Sequence, residues 1–123
     1  MLLFGKGSPE LSINDTELKE YIFEILESIG ERSNILIIPP DFTRFHSHAG
    51  IITQYIYEYY RGKIKAILPA LGTHSPMSEE EIAKMYGNIP RKLFVEHNWR
   101  NDIITMGRVP SDYVRQVSDG LVN

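Results

Sequence analysis

Cysteine is absent from these 123 residues, and its absence removes disulfides, thiol nucleophiles and every thiolate-ligated zinc or iron–sulfur site. No segment reaches the roughly 20 consecutive apolar residues of a membrane span, and the start Met-Leu-Leu-Phe-Gly-Lys-Gly has no basic leader followed by a long apolar run. A basic stripe is missing too. The 13 Lys and Arg are scattered among 16 Asp and Glu for a net charge of −3, which argues against nucleic acid as a partner. Internal repeats and low-complexity tracts are lacking. What is present, 42% hydrophobic and 24% charged residues, is the balance of one soluble globular domain able to bury a core without staples. A cytoplasmic location with no membrane partner is the expectation.

Apolar periodicity organises the chain. Asn14 with Glu17 three residues later forms a capping-box pattern, and Leu18, Tyr21, Ile22, Ile25, Leu26 and Ile29 follow at helical spacing until Gly30. Ile35 to Ile38 is a short β-branched run without polar alternation, the pattern of a parallel strand buried on both faces, and Pro39-Pro40 ends it. Ile51, Ile52, Tyr55, Ile56 and Tyr59 mark a second helix closed by Arg61-Gly62. A second buried strand runs from Ile64 to Leu71, interrupted by Pro69. Ser78 with Glu81 opens a short acidic helix that Gly87 stops, and Leu93 to Val95 and Ile103 to Thr105 are weaker strand candidates. This alternation predicts an α/β fold: an open parallel sheet flanked by helices, Rossmann-like and three-layered, in a single domain. Val117 to Asn123 stop without a closing element, so the chain reads as truncated.

In open parallel sheets ligands sit outside the carboxyl ends of the strands, where two unusually polar loops fall. The first, Asp41-Phe42-Thr43-Arg44-Phe45-His46-Ser47-His48, gathers a carboxylate, hydroxyls, a guanidinium and two imidazoles in eight residues. Arg44 could grip a carboxylate through two parallel N–H bonds, and Asp41 could orient an imidazole or a sugar hydroxyl. The plain alternative is that Asp41 begins a turn and pairs with Arg44. His46 and His48 have the residue type of zinc or nickel ligands but no third partner nearby in sequence, and His46 or Ser47 could simply cap the second helix. The second loop, Gly72-Thr73-His74-Ser75-Pro76-Met77-Ser78, offers backbone amides to an anion, and an imidazole at His74 able to take a hydroxyl proton near neutral pH. His74 could equally cap the turn. Glu79, Glu80 and Glu81 complement a helix dipole rather than form a metal cluster. Tyr55, Tyr57, Tyr59 and Tyr60 read as packing residues, and the patch from His97 to Asp102, with the only tryptophan at Trp99, stays open in role.

Pro40-Asp41-Phe42-Thr43-Arg44 after one strand and Ala70-Leu71-Gly72-Thr73-His74-Ser75-Pro76-Met77-Ser78-Glu79-Glu80-Glu81 after the next resemble, in that order, the amino-terminal domain of the lactate racemase family. The resemblance implies a 2-hydroxyacid racemase or epimerase. Its nickel pincer nucleotide takes a hydride from the hydroxyl-bearing carbon and returns it to the opposite face, while histidines move the hydroxyl proton. It implies His74 as an acid/base residue, Arg44 as a substrate contact, Asp41 as a carboxylate lining the same site, and the Gly72-Thr73 turn on the cofactor side. It also implies that residues 1–123 are an amino-terminal domain cut before the segment that carries the cofactor lysine, the nickel histidine and the second catalytic histidine. Such a piece binds no nickel cofactor alone, is inactive alone, and has as partners the rest of its own chain and a small 2-hydroxy acid. Phe42 and Phe45 depart from the family, which often has histidine or another polar residue at the first position and proline at the second, and point to a subgroup whose substrate need not be lactate. The alternatives are a non-catalytic nucleotide- or phosphate-binding module built on the Gly72 to Ser78 turn, and a metal hydrolase requiring Asp41, His46, His48 and His74 to converge.

Overall fold

Asn14 and Glu17 exchange side-chain-to-backbone hydrogen bonds of 3.0 Å each, satisfying two donors of the helix end they open. Helix α1 then runs Asp15–Ile29, and Gly30, at φ 78°, closes it. In this computed structural model, which describes residues 4–122, the order continues β1 Ile35–Ile37, α2 Ala49–Tyr60, β2 Ile64–Ile67, α3 Glu79–Tyr86 and α4 Ser111–Val117. Short 3-10 turns occupy Phe42–Ser47, Arg61–Lys63 and Arg91–Leu93. Ser78 and Glu81 form the second capping box, and Gly87, at φ 62°, ends α3.

β1 and β2 pair in parallel, with Ile35 opposite Ile64, Leu36 opposite Ala66 and Ile37 opposite Ile67. Pairing continues past both strands: the Leu68 N–H donates to Ile37 O at 2.9 Å and the Ala70 N–H to Pro39 O at 2.8 Å. On the other side of β2, Phe94 bridges Ile67 in parallel and the Val95 N–H donates to Ile67 O at 2.9 Å. β2 is therefore central, and the fold is α/β with a parallel sheet and flanking helices, as the alternation of patterns predicts. Ile64 and Ile67 of β2, Leu26 of α1, Tyr60 of α2, Ile82, Met85 and Tyr86 of α3, and Phe94 form one core. No helix among the described residues is long and apolar enough to cross a membrane.

Three expectations need correction. β1 is covered on one face only, since Ile35 and Ile37 pack on the core while Leu36 and Ile38 are 53% and 60% exposed. Strand β2 ends at Ile67: beyond it the Leu68 and Ala70 N–H groups still reach Ile37 O and Pro39 O, but Pro39 has no N–H to return, and the residues to Ala70 continue only as an isolated bridge. Ile103 to Thr105 is no strand, its residues being exposed and outside the sheet, whereas Leu93 to Val95 contributes the bridge at Phe94. Helix α4 lies where the sequence pattern gives no element, and Asn123 lies outside the described residues.

Candidate functional site

The bonds that lace Pro39 and Pro40 to Ala70 hold two strand ends side by side, so the loops after β1 and β2 leave the sheet together. Asp41 caps the Phe42–Ser47 turn, its Oδ1 accepting the Thr43 N–H at 3.1 Å and the Thr43 hydroxyl as well. In the second loop Gly72 adopts φ 58°, a left-handed value that suits glycine, and the chain reverses so that the His74 N–H donates to Leu71 O at 3.0 Å. His74 then reaches Asp41: Nδ1 stands 2.6 Å from Oδ2, across 33 residues of sequence. The carboxylate is 6% exposed and the imidazole 53% exposed.

Burial pushes the Asp41 carboxyl upward, but hydrogen bonds from the Thr43 side chain, His74 and the Thr43 backbone together outweigh it and hold the pKa below the ordinary 3.8. Asp41 is thus an anion near neutral pH, and an anionic carboxylate only accepts. His74 must therefore carry its proton on Nδ1, which leaves the lone pair of the neutral ring on Nε2. Behind the pair, the Tyr86 hydroxyl donates to Pro40 O. Burial, and then the nearby Asp41 charge, raise the Tyr86 pKa, so it stays a donor.

Arg44 follows on the same turn, exposed, with Nη1 3.5 Å from Thr43 Oγ1, and it makes no ion pair with Asp41 or any other described residue. Phe42 and Phe45 pair at 5.2 Å between ring centroids and pack on the core, with Lys84 Nζ 5.6 and 5.2 Å from their centroids. His48, at φ 61°, is the N-cap of α2 without a side-chain bond, and Ser47 Oγ takes the Ala49 N–H at 3.3 Å. Ser47 thus does the capping. No three His, Cys, Asp or Glu side chains gather into a metal-binding group among the described residues, so Asp41, His46, His48 and His74 do not converge as a metal hydrolase needs.

The Gly72-Thr73 turn is open, with nothing within 4 Å of where a Gly72 Cβ would stand. The space beside the turn is therefore unfilled by the described residues, and no three of their His, Cys, Asp or Glu side chains gather into a ligand set for nickel. The amino end of α3 is already satisfied by Ser78 and Glu81 and crowded by Glu79 and Glu80, which disfavours an anion there. Sequence reasoning missed Thr43 and Tyr86. The Asp-x-Thr spacing is a turn signal that points to the Thr43 bond, whereas nothing local connects Tyr86 to Pro40 across 46 residues.

Fold and site together define a parallel α/β domain that holds a carboxylate–imidazole pair at the carboxyl end of its sheet. The lactate racemase N-terminal domain family matches residues 10–121, and the chain belongs to that family. It is also similar, at 25% identity and a TM-score of 0.68, to a crystal structure of a Thermotoga maritima protein over 95% of this chain. The chain spans 29% of the length of that solved chain. None of the curated proteins matches.

Proposed function

We propose that this chain is the part of a 2-hydroxyacid racemase or epimerase that grips the substrate carboxylate and moves the hydroxyl proton. The observation that carries the reading is the 2.6 Å contact between His74 Nδ1 and buried Asp41, which fixes the ring with Nε2 free on the exposed side. Inversion through a planar keto acid requires the hydroxyl proton to leave and return, and Nε2 is the base that takes it and the acid that gives it back. Asp41 acts through His74. It fixes tautomer and orientation and stabilises the imidazolium, and both its oxygens are occupied within the chain. Arg44, exposed and unpaired on the same turn, is the group for the carboxylate. The reading gives these residues the proton and not the hydride, whose carrier belongs to the rest of the protein.

In the longer protein that carries this domain, His74→Ala is expected to lower racemisation of the accepted 2-hydroxy acid by roughly 10²–10⁴-fold, the usual range for a lost general base. Arg44→Lys should chiefly raise KM, since lysine keeps the charge and loses the planar fork. Chiral chromatography over a panel of 2-hydroxy acids reads both. A His74→Ala protein racemising near the parental rate would leave His74 a structural partner of Asp41, and the reading would fall.

A further inference from the structure

Helices α1, α2 and α3 all pack on one face of the sheet, the face that carries Ile37, Ile67 and Phe94. The order of pairing explains why. From β1 to β2 and from β2 to the Phe94 bridge the chain steps twice in the same direction, and right-handed crossovers then put both connecting helices, α2 and α3, on the same side. The opposite face is left bare. Side-chain alternation brings Leu36 and Ile38, Ala66 and Leu68, and Val95 beside Phe94 onto it, and Leu36, Ile38 and Val95 are 53%, 60% and 49% exposed. Parallel sheets occur almost only with both faces covered, so an apolar row left open on one of them calls for a partner.

The free edge of the sheet lies beside that face. β1 pairs only with β2 among the described residues, and because Ile37 O and Pro39 O accept from Leu68 and Ala70, the alternating backbone groups of Ile38 point away from β2. A further crossover in the same direction would add its helix to the covered face, whereas a step to the far side of β1 carries a right-handed crossover helix over the bare one. A second copy is the wrong size of partner. A stable interface takes roughly 800 Å² from each side, and three half-exposed aliphatic side chains offer a small part of that. A helix tethered on the same polypeptide needs no such area, because its effective concentration is high. The similar solved chain, of which these residues span 29%, has the length to supply one. We propose that the bare face is the docking surface for an amphipathic helix of the same polypeptide, lying outside residues 1–123 and brought there by a parallel strand that joins the outer edge of β1. The reversal of winding at β1 makes the gap outside that strand the switch point of the sheet, where open α/β folds hold ligands, and the loop bearing Asp41 and Arg44 follows β1 at that end. The docking needs no turnover at His74 and stands or falls apart from the racemase reading.

The chain has no cysteine, so single cysteines report on the face directly. Leu36→Cys and Ile38→Cys are made in the 123-residue chain and in the longer protein that carries this domain, and iodoacetamide modification at each site is followed by peptide mass spectrometry, with every rate referred to that of the urea-unfolded protein. Hydrogen exchange at the Ile38 amide reads the strand edge. In the longer protein both cysteines should react at least tenfold more slowly than in the 123-residue chain, and the Ile38 amide should exchange at least tenfold more slowly too. Equal rates in the two proteins overturn the proposal, and so do protected cysteines with an unslowed Ile38 amide, which would mean cover without an added strand. Protection already present in the 123-residue chain also overturns it: if it fades on dilution the occupant is a second copy, and if it persists the occupant is the chain's own segment 103–122.

Discussion

A carboxylate taken out of water usually gives up its charge, and Asp41 keeps it because three hydrogen bonds converge on its two oxygens. The consequence is a pH dependence of known sign. The folded pKa lies below the unfolded one, so the ion stabilises the fold above the ordinary 3.8, and the contribution is lost as pH falls through the folded value. Asp41→Asn should therefore be less stable than the parent at about pH 6, with the gap narrowing toward about pH 2, as read from urea midpoints over a pH series. A gap that stays constant across the series would assign the loss to shape rather than charge. Part of this site is legible in the sequence. The density of polar groups from Asp41 to His48 and the lone imidazole just past the next strand both point to one crevice, because parallel strands put their loops at one end. Orientation of an imidazole is one of the two uses that residue chemistry allows Asp41. What the sequence cannot yield is the arrangement within the crevice: Arg44, the obvious partner by spacing, turns to solvent, while Thr43 supplies the bonds.

Helices α2 and α3 meet through a glycine. A Cβ built on Gly50 would stand 2.2 Å from the Met85 carbonyl oxygen, a backbone atom that cannot swing aside. In an exposed helix, Gly→Ala gains about 1 kcal/mol from backbone entropy. At Gly50 the clash wins, and Gly50→Ala should lose about 1–3 kcal/mol of unfolding free energy, the usual cost of overpacking. Gly62, with nothing within 4 Å of its Cβ position, is the control and should change stability by no more than about 0.5 kcal/mol in denaturant titrations. If both glycines respond alike, the close approach of α2 to α3 is wrong. The element pattern itself was readable where local chemistry is decisive: Asn14 with Glu17 and Ser78 with Glu81 mark helix starts, and Gly30 and Gly87 their ends. It misleads where only tertiary packing decides. Ile35 to Ile38 is apolar throughout, and no periodicity can tell that Leu36 and Ile38 face away from the core. Ile103 to Thr105 has strand composition without a strand to pair with.

Across the molecule, stabilisation is concentrated before residue 100. The core draws on α1, α2, β2, α3 and Phe94, whereas Ile103, Ile104, Met106 and Val109 are 68%, 89%, 99% and 64% exposed. Helix α4 has only seven residues, no side-chain cap, and Tyr113 and Val117 at 58% and 63% exposure. An isolated helix that short is marginal in water, so α4 adds little to the fold it follows. Burial is the dominant favourable term in folding, and a segment that buries almost nothing contributes almost nothing to it. Ending the chain after Asp102 should accordingly leave the urea midpoint and its slope unchanged within about 0.5 kcal/mol, the range of surface changes. Native-state hydrogen exchange gives an independent measure: the amides of 111–117 should exchange through local opening of nearly zero free energy, while those of Ile64 to Ile67 wait for global unfolding. A shortened chain that loses more than about 1 kcal/mol, or protected amides in 111–117, would mean that α4 packs on the domain in solution and that the core extends past Phe94.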